Sequence, residues 1–132
     1  MVKKDEKKRT ITFFSQKNKK VMTVRSEYAK QYALQLENDE SVVGYETSIP
    51  VDSPQDKIDL TGFRRNAVTG DWLSDFMVIY SNTQTIVEVV DEEQLEKKRS
   101  CSERLELSRR YWKAVGMLNW KIVVMKRGET AW

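Results

Sequence analysis

The stretch WLSDFMVIYSNTQTIVEVV (residues 72–90) decides the fold. WLSDFMVIY and QTIVEVV are each dense in β-branched, aromatic and aliphatic residues, and the short polar SNT separates them. This pattern predicts two antiparallel strands joined by a turn. Asp75 lies near the start of the first strand and Glu88 near the end of the second, so pairing brings the two acids towards one another. One carboxylate from each strand can then point to the same face and share a hard divalent cation, with water and phosphate completing its octahedron. Such an ion activates water and stabilises charge on a phosphodiester under attack. The alternative is two solvated acids in a chain that is 33% charged.

Working outward, SEYAKQYALQLEND predicts a helix capped by Ser26, with Tyr28, Tyr32 and Leu36 at helical spacing. SVVGYETSIP predicts a strand over residues 42–49, and TITFF a short strand before the helix. DKIDLTGFR alternates apolar and polar residues, and Gly70 suits a positive-φ turn. Downstream, DEEQLEKKRSCSERLELSRRYWKAVG predicts a helix. Ser100 and Glu103 have capping-box spacing. Leu105, Trp112 and Val115 lie on one stripe, with Leu95 and Ser108 in register, and Gly116 is a stop. LNWKIVVM predicts a buried strand, parallel to a neighbour because a helix precedes it. The order helix, β-meander, helix, strand gives an α/β fold: a mixed β-sheet flanked by helices.

The 132 residues suit one domain. The sequence has no histidine, which removes Ser-His-Asp and Cys-His catalysis and histidine metal ligands. Cys101 is the one cysteine, so no internal disulfide or cysteine zinc site forms. No apolar run suits a membrane span, and MVKKDEKKRT lacks the apolar block of a signal peptide. These features lead to the expectation of a cytoplasmic protein, with virion association as an extension. Positive charge gathers at Lys3, Lys4, Lys7, Lys8, Arg9, Lys17, Lys19 and Lys20. We therefore read residues 1–20 as a basic, flexible arm suited to nucleic acid and residues 21–132 as the domain. A solubilising tail is the alternative for the arm.

The pieces LENDESVVGYETSIP, SDF and LELSRRYW, the last followed by Gly116 and a Trp-containing strand, resemble the N-terminal catalytic domain of TnsA. TnsA is the endonuclease subunit of heteromeric cut-and-paste transposases, and the similarity spans residues 25–124. The resemblance implies a restriction-endonuclease-like core of the PD-(D/E)XK class and DNA cleavage dependent on Mg²⁺ or Mn²⁺. It also implies protein partners, either a transposase and an ATPase or phage assembly components such as those of head completion. A homo-oligomer is within its scope, since relatives act in pairs or complexes. Longer family members carry a C-terminal DNA-binding and docking domain that has no counterpart in this sequence. Contacts of that kind would come from an assembly, or the chain would work alone.

By this resemblance Asp75 matches the metal-binding aspartate and Glu88 the next ligand. The family's lysine, two residues later, matches Val90. The gapless LENDESVV match puts the helix glutamate at Ala29, while Glu27 lies about 200° away around the helix. Two expectations follow. In an active endonuclease, Asp75 and Glu88 hold the metal, Glu27 assists, Lys97 or Lys98 replaces the lost lysine, and Lys17, Lys19, Lys20, Arg64 and Arg65 bind phosphates. In a catalytically silent nuclease fold, the chain serves as a DNA-binding or structural subunit of a transposition complex or phage particle.

Overall fold

The computed structural model describes residues 10–51, 72–117 and 119–126. The elements are β1 (Ile11–Ser15), β2 (Lys20–Val24), α1 (Glu27–Glu37), β3 (Val42–Val51), β4 (Trp72–Tyr80), β5 (Gln84–Asp91), α2 (Glu92–Lys97), α3 (Arg99–Ala114) and β6 (Trp120–Met125). A four-stranded sheet runs in the order β3-β4-β5-β6, and β1 and β2 form a separate two-stranded antiparallel sheet. β3–β4 and β4–β5 are antiparallel, whereas β5–β6 is parallel. This is the expected α/β architecture: a mixed sheet flanked by helices. Among the described residues no helix is long and apolar enough to cross a membrane.

Each face of the sheet carries its own core. Ala29, Tyr32, Ala33 and Leu36 of α1 recur at helical spacing and pack with Tyr45, Phe76, Val78, Val87 and Val89. The Phe76 ring meets Tyr32 edge-on, with centroids 5.1 Å apart. On the opposite face Trp112 of α3 packs with Val51 and Ile86. Ile86 through Val90 are all buried, because β5 lies inside the sheet and is covered on both faces. Ser26 caps α1 as expected, accepting the Ala29 N–H at 3.0 Å. Gly116, at φ +97°, lies just beyond the C-terminal end of α3.

Several expectations are corrected. The basic arm gives way to structure at Ile11, where the β1–β2 hairpin begins. The downstream helical stretch divides in two: α2 buries nothing, and α3 starts at Arg99 with Lys98 as an N-cap that makes no side-chain bond. Ser100 is therefore not a cap, and the Glu103 carboxylate takes the Arg99 guanidinium one turn back instead. Val115 leaves the buried stripe because it lies beyond the last turn, 44% exposed. β6 is an edge strand with Ile122 and Val124 partly open to solvent. The expected alternation over DKIDLTGFR, the Gly70 turn and residues 1–9 lie outside the described residues.

One carboxylate gathers several of the bonds that hold the hairpin to the domain. Ser15 and Tyr45 hydroxyls both donate to Glu37 Oε2, and the Lys17 N–H donates to Oε1 at 3.1 Å. Asn18 Oδ1 accepts the Tyr45 N–H at 2.9 Å. A Cβ on Gly44 would come within 3.0 Å of that oxygen, so a glycine suits the close approach. Burial opposes the Glu37 charge, but the Ser15, Tyr45 and Lys17 hydrogen bonds and the Lys17 charge outweigh it, and its pKa is lowered. A lowered folded pKa gives stability that is present above the ordinary glutamate range and lost as pH falls through the folded value. Glu37→Gln is expected to cost about 1–3 kcal/mol at neutral pH. Urea unfolding at several pH values should show the cost shrinking as the solution is acidified.

Candidate active site

Asp75 and Glu88 meet where two strands part. The β4–β5 ladder pairs Phe76 with Val87 and goes no further in that direction, so the next level holds Asp75 and Glu88. Beyond it, β4 continues beside β3 as far as Trp72, while β5 continues beside β6 as far as Asp91. Side chains then replace the missing ladder bonds. Asp75 Oδ2 accepts the Val89 N–H at 2.8 Å, and the Asp75 N–H faces Glu88 Oε1 at 3.4 Å.

The alternation of faces breaks at the same level. Phe76 packs on the α1 side, yet the Ser74 hydroxyl accepts the indole N–H of Trp112, on the α3 side. Residues i and i+2 share a face in a regular strand, so β4 turns over at Asp75. β3 turns over with it, since Tyr45 packs on the α1 side and Ile49 and Val51 on the other. Ser48, level with Asp75 in the register, takes the left-handed φ of 54°. Such a backbone conformation carries a cost in a non-glycine residue and often marks a functional site.

Glu88 is wholly buried. Its Oε2 accepts the Ser108 hydroxyl at 2.6 Å, and the Ser108 oxygen accepts the Trp120 indole N–H at 3.0 Å. The indole can only donate, so the serine proton remains available to the carboxylate. Asp75 is pushed up to about 6, first by burial and then by the charge of Glu88; the Val89 N–H, Arg104 and Arg25 pull the other way. Two carboxylates placed at one level disfavour double ionisation, and a cation between them would relieve that repulsion. Among the described residues Asp75 Oδ1 has no hydrogen-bond partner, and Glu88 Oε1 has only the long contact. The pair thus offers oxygen ligands suited to a hard cation. Among the described residues no group of three His, Cys, Asp or Glu side chains assembles.

The remaining expected residues are distributed more widely. Glu27 is exposed in the first turn of α1, and Ala29 is buried in the core. Val90 is buried, on the β5 face that also carries Glu88. Lys97 pairs with Glu93 at 2.9 Å in an exposed i,i+4 bridge, and Lys98 is exposed at the N-cap of α3. Lys17 Nζ donates to the Asp39 and Val42 carbonyls, so it fastens the hairpin. Lys20 pairs with Glu46 at 3.3 Å, and Lys19 is exposed in the hairpin turn. Arg64 and Arg65 lie outside the described residues.

Sequence reasoning missed Ser74, Ser108 and Trp120 as supports of the pair, and Arg25 and Arg104 as its charged neighbours. Ser108 carried a signal: a hydroxyl on a core-facing helical stripe needs a partner. No family model matches the chain, and the search of curated proteins finds no significant similarity.

An acid whose folded pKa is raised contributes stability below its unfolded pKa and loses it as pH rises through the folded value. Asp75→Asn should therefore stabilise the metal-free protein at pH 7 by about 1–3 kcal/mol. Thermal unfolding at pH 7 and under acid conditions should show the gain disappearing once both forms are neutral. A less stable variant at pH 7 would contradict the assignment of electrostatic strain to this pair.

Proposed function

We propose that this protein is a DNA-cleaving nuclease-fold protein whose Asp75 and Glu88 hold Mg²⁺ or Mn²⁺. The carrying observation is the acid pair at the parting of β4 and β5, with Glu88 buried and Asp75 half-buried. Its charge repulsion gives the site a reason to take up a cation. Bound there, the ion would supply an activated water and neutralise charge on a scissile phosphodiester.

The chain's own residues do the positioning. The Val89 N–H fixes Asp75. Ser108, itself held by Trp120, fixes Glu88 in one rotamer. Trp112 anchors β4 at Ser74, next to Asp75. Supports of this kind matter because ligands aimed by their neighbours bind metal more tightly. The sequence resemblance suggests transposition or phage DNA processing as the setting, with DNA and the proteins of such an assembly as partners.

A second reading, the catalytically silent subunit, is favoured by a specific observation. The strand position two residues beyond Glu88 carries buried Val90, and Lys97 is committed to Glu93. No lysine of the described residues is seen at the acid pair.

The test is incubation with supercoiled plasmid in Mg²⁺ and in Mn²⁺. The active reading expects nicking that Asp75→Asn abolishes. It also expects Ser108→Ala to raise the metal concentration needed by about 10–100-fold. Intact plasmid with the wild-type protein, alone and with its assembly partners, would leave the silent subunit. Nicking that survives Asp75→Asn would remove the pair from the chemistry.

A further inference from the structure

α3 crosses β5 in a regular progression. Trp112 packs on Ile86, and one turn earlier Ser108 bonds Glu88. A helical turn advances about 5.4 Å, and two strand residues about 6.6 Å. The next step therefore brings the turn containing Arg104 and Leu105 over Val90. Leu105 is buried, while Arg104 is half-buried.

Arg104 differs from the other arginines of its helix. Arg99 pairs with Glu103, and Arg109 and Arg110 both pair with Glu106. Among the described residues Arg104 forms no ion pair, and it stands one helical turn before Ser108, on the helix face that meets Glu88. Arg25 comes to the same level of the sheet from another element. It follows β2, where the Thr23 carbonyl accepts the Ser48 hydroxyl at 3.2 Å, level with Asp75.

We propose that Arg104, approaching the acid pair from α3 over the uncharged Val90, is the phosphate-binding cation of this site, with Arg25 closing the opposite flank. The assignment rests on the proposed function, and it specifies the group recognised: a backbone phosphodiester of DNA. A guanidinium suits this role because its donors match phosphate oxygens in pairs and its charge persists at every physiological pH. A half-buried guanidinium without a carboxylate partner also retains more of its attraction than an exposed, screened one.

The experiment measures binding of a short labelled DNA duplex to the full chain in Ca²⁺ over a range of salt concentrations. Arg104→Gln should weaken binding about tenfold or more and reduce the salt slope by about one. Arg104→Lys should keep most of the slope, because the charge remains. Arg109→Gln, on the same helix and already paired with Glu106, should bind as wild type does. Equal affinity and slope for wild type and Arg104→Gln would overturn the assignment, as would an equal loss in Arg109→Gln. The underlying reading fails separately: in that case Ca²⁺ would tighten binding no more in wild type than in Asp75→Asn, whatever Arg104→Gln does.

Discussion

The hydrogen bond from the Val89 N–H to the Asp75 carboxylate is the interaction on which the site depends. A sheet cannot end a ladder in its interior without leaving backbone donors unpaired, and each such group is expensive when buried. Here a side chain takes the place of a strand. It lets β4 leave β5 and follow β3, while β5 goes on beside β6. The same bond draws Asp75 level with Glu88. Topology and acid pair are thus one feature: the strands part at the point where an aspartate can complete the hydrogen bonding.

The arrangement has a cost that the surrounding structure meets. A fully buried glutamate is rare unless something holds it. Ser108 and Trp120 supply that hold from α3 and from the edge strand, and Trp112 anchors the adjoining level of β4 at Ser74. Two neighbouring backbone positions, Ser48 and Asp75, share the turnover of the sheet face. A chain selected for stability alone would place apolar residues here, as it does at Ile86 and Val90. Charge repulsion inside a packed sheet is a cost to stability, and removal of such strain commonly stabilises a protein.

Much of this was legible in the sequence because it rests on periodicity. The hairpin of β4 and β5, the α1 stripe of Tyr32 and Leu36, and the parallel β6 after a helix all follow from spacing and connection. The approach of Asp75 to Glu88 follows from pairing two strands across a short turn. What escaped was set by tertiary context. The β1–β2 hairpin lies among lysines that read as a tail; Lys17 spends its charge on backbone carbonyls, and Glu37 binds the turn from twenty residues away. The break before Arg99 divides a stretch whose pattern is helical throughout. Ile122 and Val124 look like core residues, and only their place at the sheet edge leaves them partly open.

The central claim is that Asp75 and Glu88 form a divalent-cation site. It is tested most directly by counting Mn²⁺ ions bound per chain at neutral pH by electron paramagnetic resonance, in the wild type and in Asp75→Asn and Glu88→Gln. The account predicts saturable binding in the wild type that both substitutions remove while the fold persists. Wild-type protein that leaves Mn²⁺ free in solution, or variants that bind it as well as the wild type, would contradict it.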